Sequence, residues 1–274
     1  MFSQERNTPG HGVSHTLNAE QVAMWYMKQI GVKGRKVETA QIATLLHDVE
    51  KEKPQHARAG ERYVRRMLRG ALPRDELHEV SVAVTNHSWP LVRDSKKMPT
   101  SHVTDAVFFA DRLEGIGHYG VFRCIAGSLD DTGKLMRLKK REAELRIQGL
   151  SKANARRTAL REGTIEDIGI EIAINKKLGK PRSRKNRVPV EEYYPKEVLP
   201  ILRGYRKHSE AFLRALRRGR PWAEEIMGGF TQHAGTTGTD LNTLIRGFEP
   251  KTKRAIEFKE NALQYIDGDI EGAL

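Results

Sequence analysis

The sequence predicts an all-α protein: a helical bundle followed by a basic helical extension. Apolar residues recur at three- and four-residue spacings over most of the chain. Gly and Pro stand between these periodic stretches, where helices stop. No stretch alternates apolar and polar residues in the manner of a strand.

Taken in order, residues 1–13 are polar with Pro9, Gly10 and Gly12, and read as a lead-in. Ser14 is placed to cap a first helix from His15, carried by Leu17, Val22, Met24, Trp25, Met27 and Ile30 and ended by Gly31 and Gly34. Val37, Ala40, Ala43 and Leu46, with Ile42 and Leu45, give a second helix that delivers His47 and Asp48 at its C-terminal end. A third starts near His56, uses Tyr63, Val64, Met67 and Leu68, and is broken by Gly70 and Pro73. A fourth runs from Asp75 through Leu77, Val80, Val82 and Val84 to His87. Residues 88–101 read as a loop in which Trp89-Pro90 is either a base-stacking surface or a core anchor. Ser101 or Thr104 opens a fifth helix through Ala106, Val107, Phe109, Ala110 and Leu113, closed by Gly115 and Gly117.

The apolar residues Val121–Ile125 suggest a further helix ending before Asp130, and Gly133 marks a change of composition. A first domain over 1–131 and a second over 132–274 are therefore expected. In the second, 134–149 is a basic amphipathic helix, Ser151 caps a short one, and Thr164 opens another to Leu178. Residues 180–195 read as a connector, with the run Arg182–Arg187 either a phosphate-binding patch or a solvated linker. Helical patterning returns from Lys196 to Arg218 and from Pro250 to Tyr265, and the Gly- and Thr-rich stretch 228–239 reads as a mobile loop.

The 1–131 part carries 18 Lys/Arg against 16 Asp/Glu, a balance of +2, and the remainder carries 30 against 19, a balance of +11. Histidine is skewed the other way, eight against two. The chain thus divides into a chemical half and a basic half suited to anionic partners, nucleic acid or an acidic protein surface. No apolar run reaches the roughly 18 residues of a membrane helix, and there is no apolar leader. A soluble, cytoplasmic protein is expected. One cysteine, Cys124, excludes an internal disulfide and reads as a small buried residue in an apolar run.

Six residues stand out as metal ligands: His15, His47, Asp48, His56, His87 and Asp111. Each sits at a helix end or beside apolar helical neighbours, positions a bundle brings together in its core. Imidazoles with shared carboxylates suit divalent cations such as Mn, Fe, Co, Ni or Zn, and Mg is a further candidate. His15, His47, Asp48 and Asp111 would hold one ion. Asp48, His56 and His87 would hold a second, with Asp48 bridging.

The motifs His15-Thr16-Leu17, Leu45-Leu46-His47-Asp48-Val49-Glu50-Lys51 and Ala110-Asp111-Arg112-Leu113-Glu114 resemble those of the HD-domain metallophosphohydrolase superfamily. His56-Ala57-Arg58 and Asn86-His87-Ser88 resemble the two further histidines of its dinuclear subgroup. The resemblance spans roughly residues 11–131 and implies an all-helical HD bundle that binds two metal ions. It departs from the pattern at Glu50, where the superfamily commonly has Gly, and it lacks the Gly-Tyr-Pro signature of cyclic-di-GMP enzymes.

The implied activity is metal-dependent hydrolysis of a nucleotide or related phosphate ester, with Asp48, Lys51 and Arg112 as catalytic residues. Lys51 would neutralise a phosphate or protonate a leaving oxygen, and Arg112 would grip phosphate in a forked contact. Asn86, Glu50 or backbone carbonyls would anchor the second nitrogens of the histidines. His11 and His102 lie close enough in sequence to touch substrate. Two rival readings use the same residues: a diiron oxygenase, and a nucleic-acid or assembly-binding protein with a remnant metal site.

Overall fold

A computed structural model describes residues 12–51, 53, 55–87, 101–161, 199–234, 239–270 and 272, with the side chains of 128–139, 156–157 and 160–161 excepted. Among these, every regular element is a helix, and the one bridge pairs Arg69 with Leu72. No helix among them is long and apolar enough to cross a membrane. The all-α expectation is met.

Among the described residues the first five helices are α1 (Val13–Gln29), α2 (Arg35–Leu46), α3 (His56–Met67), α4 (Arg74–Asn86) and α5 (His102–Glu114). They follow the predicted order closely. Ser14, expected as a cap, is instead buried within α1, which starts after Gly12. Gly34, at φ +67°, supplies the left-handed residue that opens α2. Ser101 caps α5, its Oγ accepting from the Thr104 N–H at 3.2 Å. α5 is the central element and packs on α1, α2 and α4, while α3 lies against α4. Phe109 on α5 meets Tyr26 and Trp25 of α1 at ring separations of 4.9 and 6.1 Å.

The remaining helices among the described residues are α6 (Gly117–Ile147), α7 (Lys152–Arg161), α8 (Leu199–Arg217), α9 (Pro221–Ala234), α10 (Leu241–Gly247) and α11 (Lys253–Ile266). Two expectations are corrected here. The short helix at 121–125 and the basic helix at 134–149 are one helix, α6, so the boundary expected at 131/132 falls inside it. Gly133 costs about 1 kcal/mol against Ala in a helix interior, which neighbouring turns readily absorb. Gly228 and Gly229, expected in a loop, lie within α9, where Gly229 lets the Phe248 ring approach closely.

α6 packs against α8, α9 and α11. Phe122 is fully buried there among Phe230, Phe258 and Phe248, at 4.8, 5.9 and 6.0 Å. One apolar core runs from Ala19 of α1 to Ile270, joining the two parts. Cys124 is exposed, contrary to expectation: Phe122 and Ile125 turn inward, and position 124 falls on the outer side of α6. The helix expected from Thr164, the Arg182–Arg187 run, Trp89-Pro90 and His11 lie outside the described residues.

Candidate metal centre

α2 and α4 deliver histidine by the same local device. The last four carbonyls of a helix lack partners along the chain. His47, just past α2, donates from Nδ1 to the Thr44 carbonyl at 2.6 Å. His87, just past α4, donates from Nδ1 to the Val84 carbonyl at 2.6 Å. A carbonyl can only accept, so each Nδ1 carries a proton and each Nε2 is the atom turned toward the cluster. His15 on α1 is anchored differently: its Nδ1 donates to Glu114 of α5 in a close pair.

The Nε2 atoms converge. His15 Nε2 lies 3.0 Å from His47 Nε2, and His56 Nε2 lies 3.2 Å from His87 Nε2. Asp48 stands between these two histidine pairs. Its Oδ2 is 3.5 Å from His15 Nε2 and 3.8 Å from His47 Nε2. Its Oδ1 is 3.2 Å from His87 Nε2 and 3.6 Å from His56 Nε2. Asp111 Oδ1 reaches His15 Nε2 at 3.8 Å. All six residues expected as ligands therefore meet in one cluster. His15, His47 and Asp48 form one group that could hold a metal ion, and Asp48, His56 and His87 another.

The chemistry of the set fits a cation. Four imidazole nitrogens facing each other around a carboxylate repel unless positive charge stands among them. Burial pushes His47 down to about 3, so its ring is neutral. Burial, and then Lys51, push His56 down to about 4. Burial also works against a charged His15, but Glu114 and Asp48 together outweigh burial and Arg123 and hold it up at about 9. Burial opposes the Asp111 charge as well. Arg123, His47 and His15 outweigh it and keep the carboxyl below the usual range.

Exposure grades across the cluster. His15 and His47 are 1 % and 0 % exposed at the side chain, whereas His56 is 24 % and Lys51 31 %. His56 and Lys51 thus form the open edge. Lys51 Nζ lies there, 3.4 Å from Asp48 Oδ2. Arg112 is half-buried with its guanidinium over the Phe108 ring, 5.2 Å from the centroid.

Glu50 does not anchor a histidine. Its carboxylate pairs with Lys53 at 2.8 Å. Two residues of the cluster escaped sequence reasoning. Glu114 is fully buried, one helical turn past Asp111 on α5. Arg123 is buried on α6, 3.3 Å from Glu114 and 3.6 Å from Asp111. The available signals were a carboxylate three residues after an aspartate, and a lone charge within Val121–Ile125.

Residues 12–116 match the family model described as the HD domain. No curated protein and no solved structure matches the chain. The match covers α1 to α5 and all six converging residues, and that family is one of metal-dependent hydrolases. Residues 12–116 are thus similar to the HD domain, and their His/Asp cluster is compatible with an HD metal site.

Proposed function

We propose that the protein is a metal-dependent phosphohydrolase that cleaves a phosphomonoester or phosphodiester of a nucleotide or related phosphate ester. One observation carries the reading: Asp48 offers one oxygen to each of two histidine groups. His15, His47, Asp48 and Asp111 would hold one divalent cation, and Asp48, His56 and His87 a second. Imidazole with carboxylate suits Mn, Fe, Co, Ni or Zn, and Mg is a further candidate. Bound ions supply Lewis acidity and a water of lowered pKa.

The chain's own residues do the rest. The Nδ1 anchors of His15, His47 and His87 hold their rings in place before any ion arrives. Substrate enters at the open edge, where Lys51 meets the phosphate and passes a proton to the leaving oxygen. Arg112, its guanidinium 5.2 Å from the centroid of the Phe108 ring, would grip a phosphate oxygen. The excess of Lys and Arg after residue 131 suits an acidic protein or nucleic-acid partner, and the single cysteine suits the cytoplasm.

The test is metal analysis of the purified protein, followed by phosphate release from a panel of nucleotides and phosphoesters with Mn, Co or Mg. Release that vanishes in Asp48→Ala supports the proposal. Release that persists in that variant overturns it, as does iron with oxygen-dependent turnover, which points to the oxygenase reading.

A further inference from the structure

The helix that follows the HD match sends a charged side chain into the cluster. Arg123 lies on α6, beyond residue 116, and is almost wholly buried. Its Nη1 is 3.3 Å from Glu114 Oε2 and donates to the Asp111 carbonyl at 3.5 Å. Its Nη2 is 3.6 Å from Asp111 Oδ1 and 3.5 Å from His15 Nε2. Glu114 Oε2 in turn accepts from His15 Nδ1.

Burying a carboxylate and a guanidinium costs several kcal/mol per ion in desolvation, and such a pair is a poor source of stability. Its position argues for another role. Among the histidines, His47 and His87 rest on neutral carbonyls, whereas His15 rests on a carboxylate. A carboxylate behind an imidazole fixes the ring and raises its basicity as a ligand. A carboxylate left unclamped in the interior would swing or take up a proton. Arg123 holds it, and holds Asp111 with it.

We propose that Glu114 and Arg123 are a positioning pair for the first of the two subsites. Glu114 orients His15 with Nε2 toward the cluster, and Arg123 locks Glu114 and Asp111 in register. The pair makes the two subsites unequal, because among the described residues no carboxylate stands behind His56 or His87 as Glu114 stands behind His15. This rests on the ligand assignment proposed above.

The experiment isolates each subsite in the full-length protein. His87→Ala disables the second group, and His15→Ala disables the first. Mn2+ alone is titrated into metal-stripped protein and free Mn2+ is read by electron paramagnetic resonance. In the His87→Ala background, Glu114→Gln lowers Mn2+ affinity about 10- to 100-fold. In the His15→Ala background the same change leaves affinity within about twofold. Arg123→Met reproduces the pattern, and Arg123→Lys recovers part of the loss. Where Glu114→Gln strands the arginine and unfolds the chain, the double variant Glu114→Gln/Arg123→Met removes both charges and is read in its place. Unchanged affinity in the first background, or equal losses in both, overturns the proposal. A parent protein that binds no Mn2+ overturns the ligand assignment itself.

Discussion

His15 and His47 turn their Nε2 atoms toward each other at 3.0 Å. Two lone pairs cannot share that space without positive charge between them. Burial pushes His47 down, whereas for His15 Glu114 and Asp48 outweigh burial and Arg123 and raise it. A divalent cation placed among His15, His47 and Asp48 would answer the same need with more charge.

Unequal exposure predicts two rates of metal loss. His56 and Lys51 form the open edge, while His15 and His47 are sealed. Chelator added to loaded protein should release metal in a fast phase and a slow phase. The fast phase should vanish in His56→Ala. Stopped-flow with a metal-sensitive dye reads both, and a single phase in the parent protein contradicts the assignment.

Gly117 is predicted to tolerate no side chain. It sits at φ +76°, and a Cβ there would meet the Tyr205 ring at 2.3 Å. Gly117→Ala should cost about 2–4 kcal/mol from overpacking and left-handed strain together. Urea unfolding measures it, and a loss under about 1 kcal/mol would mean that Tyr205 moves aside freely.

Phe122→Ala should cost about 3–5 kcal/mol, since the ring is fully buried among three others and leaves a cavity. The common core predicts one cooperative transition for both parts of the chain. Two separate transitions in urea, followed by tryptophan fluorescence and circular dichroism, would contradict it.

Asp105 gives a pH signature. Burial raises its carboxyl to about 6 against the partial opposition of His102. The folded chain therefore holds a proton that the unfolded chain releases near pH 3.8. Stability from this group is present below that value and is lost as pH rises toward 6. Asp105→Asn should raise the melting temperature above pH 6 and leave it nearly unchanged near pH 4. A pH-independent effect would show that the carboxylate is solvated in the fold.

The bundle was legible in the sequence because Gly31, Gly70 and Gly115 follow α1, α3 and α5, and Gly34 and Pro73 precede α2 and α4. The six converging residues were legible because each sits at a helix end or on an apolar helical face. Glu114 and Arg123 were not. Nothing local distinguishes a buried charge from a solvated one, and their partner His15 lies 99 and 108 positions away. The continuity of α6 was hidden for a different reason. Gly127, Gly133 and the pair Asp130-Asp131 look like a stop, and propensity alone cannot reveal that the flanking turns hold the helix together.

That unbroken α6 bears on how the molecule can be divided. A protease nick or fusion junction between 131 and 132 would fray the rod that carries Arg123, so damage at a distance would loosen the first subsite. α5 gives way to α6 at Gly117, and α6 runs unbroken from there into the basic part as a shared spine. Splitting the protein at its change of charge would cut through that spine.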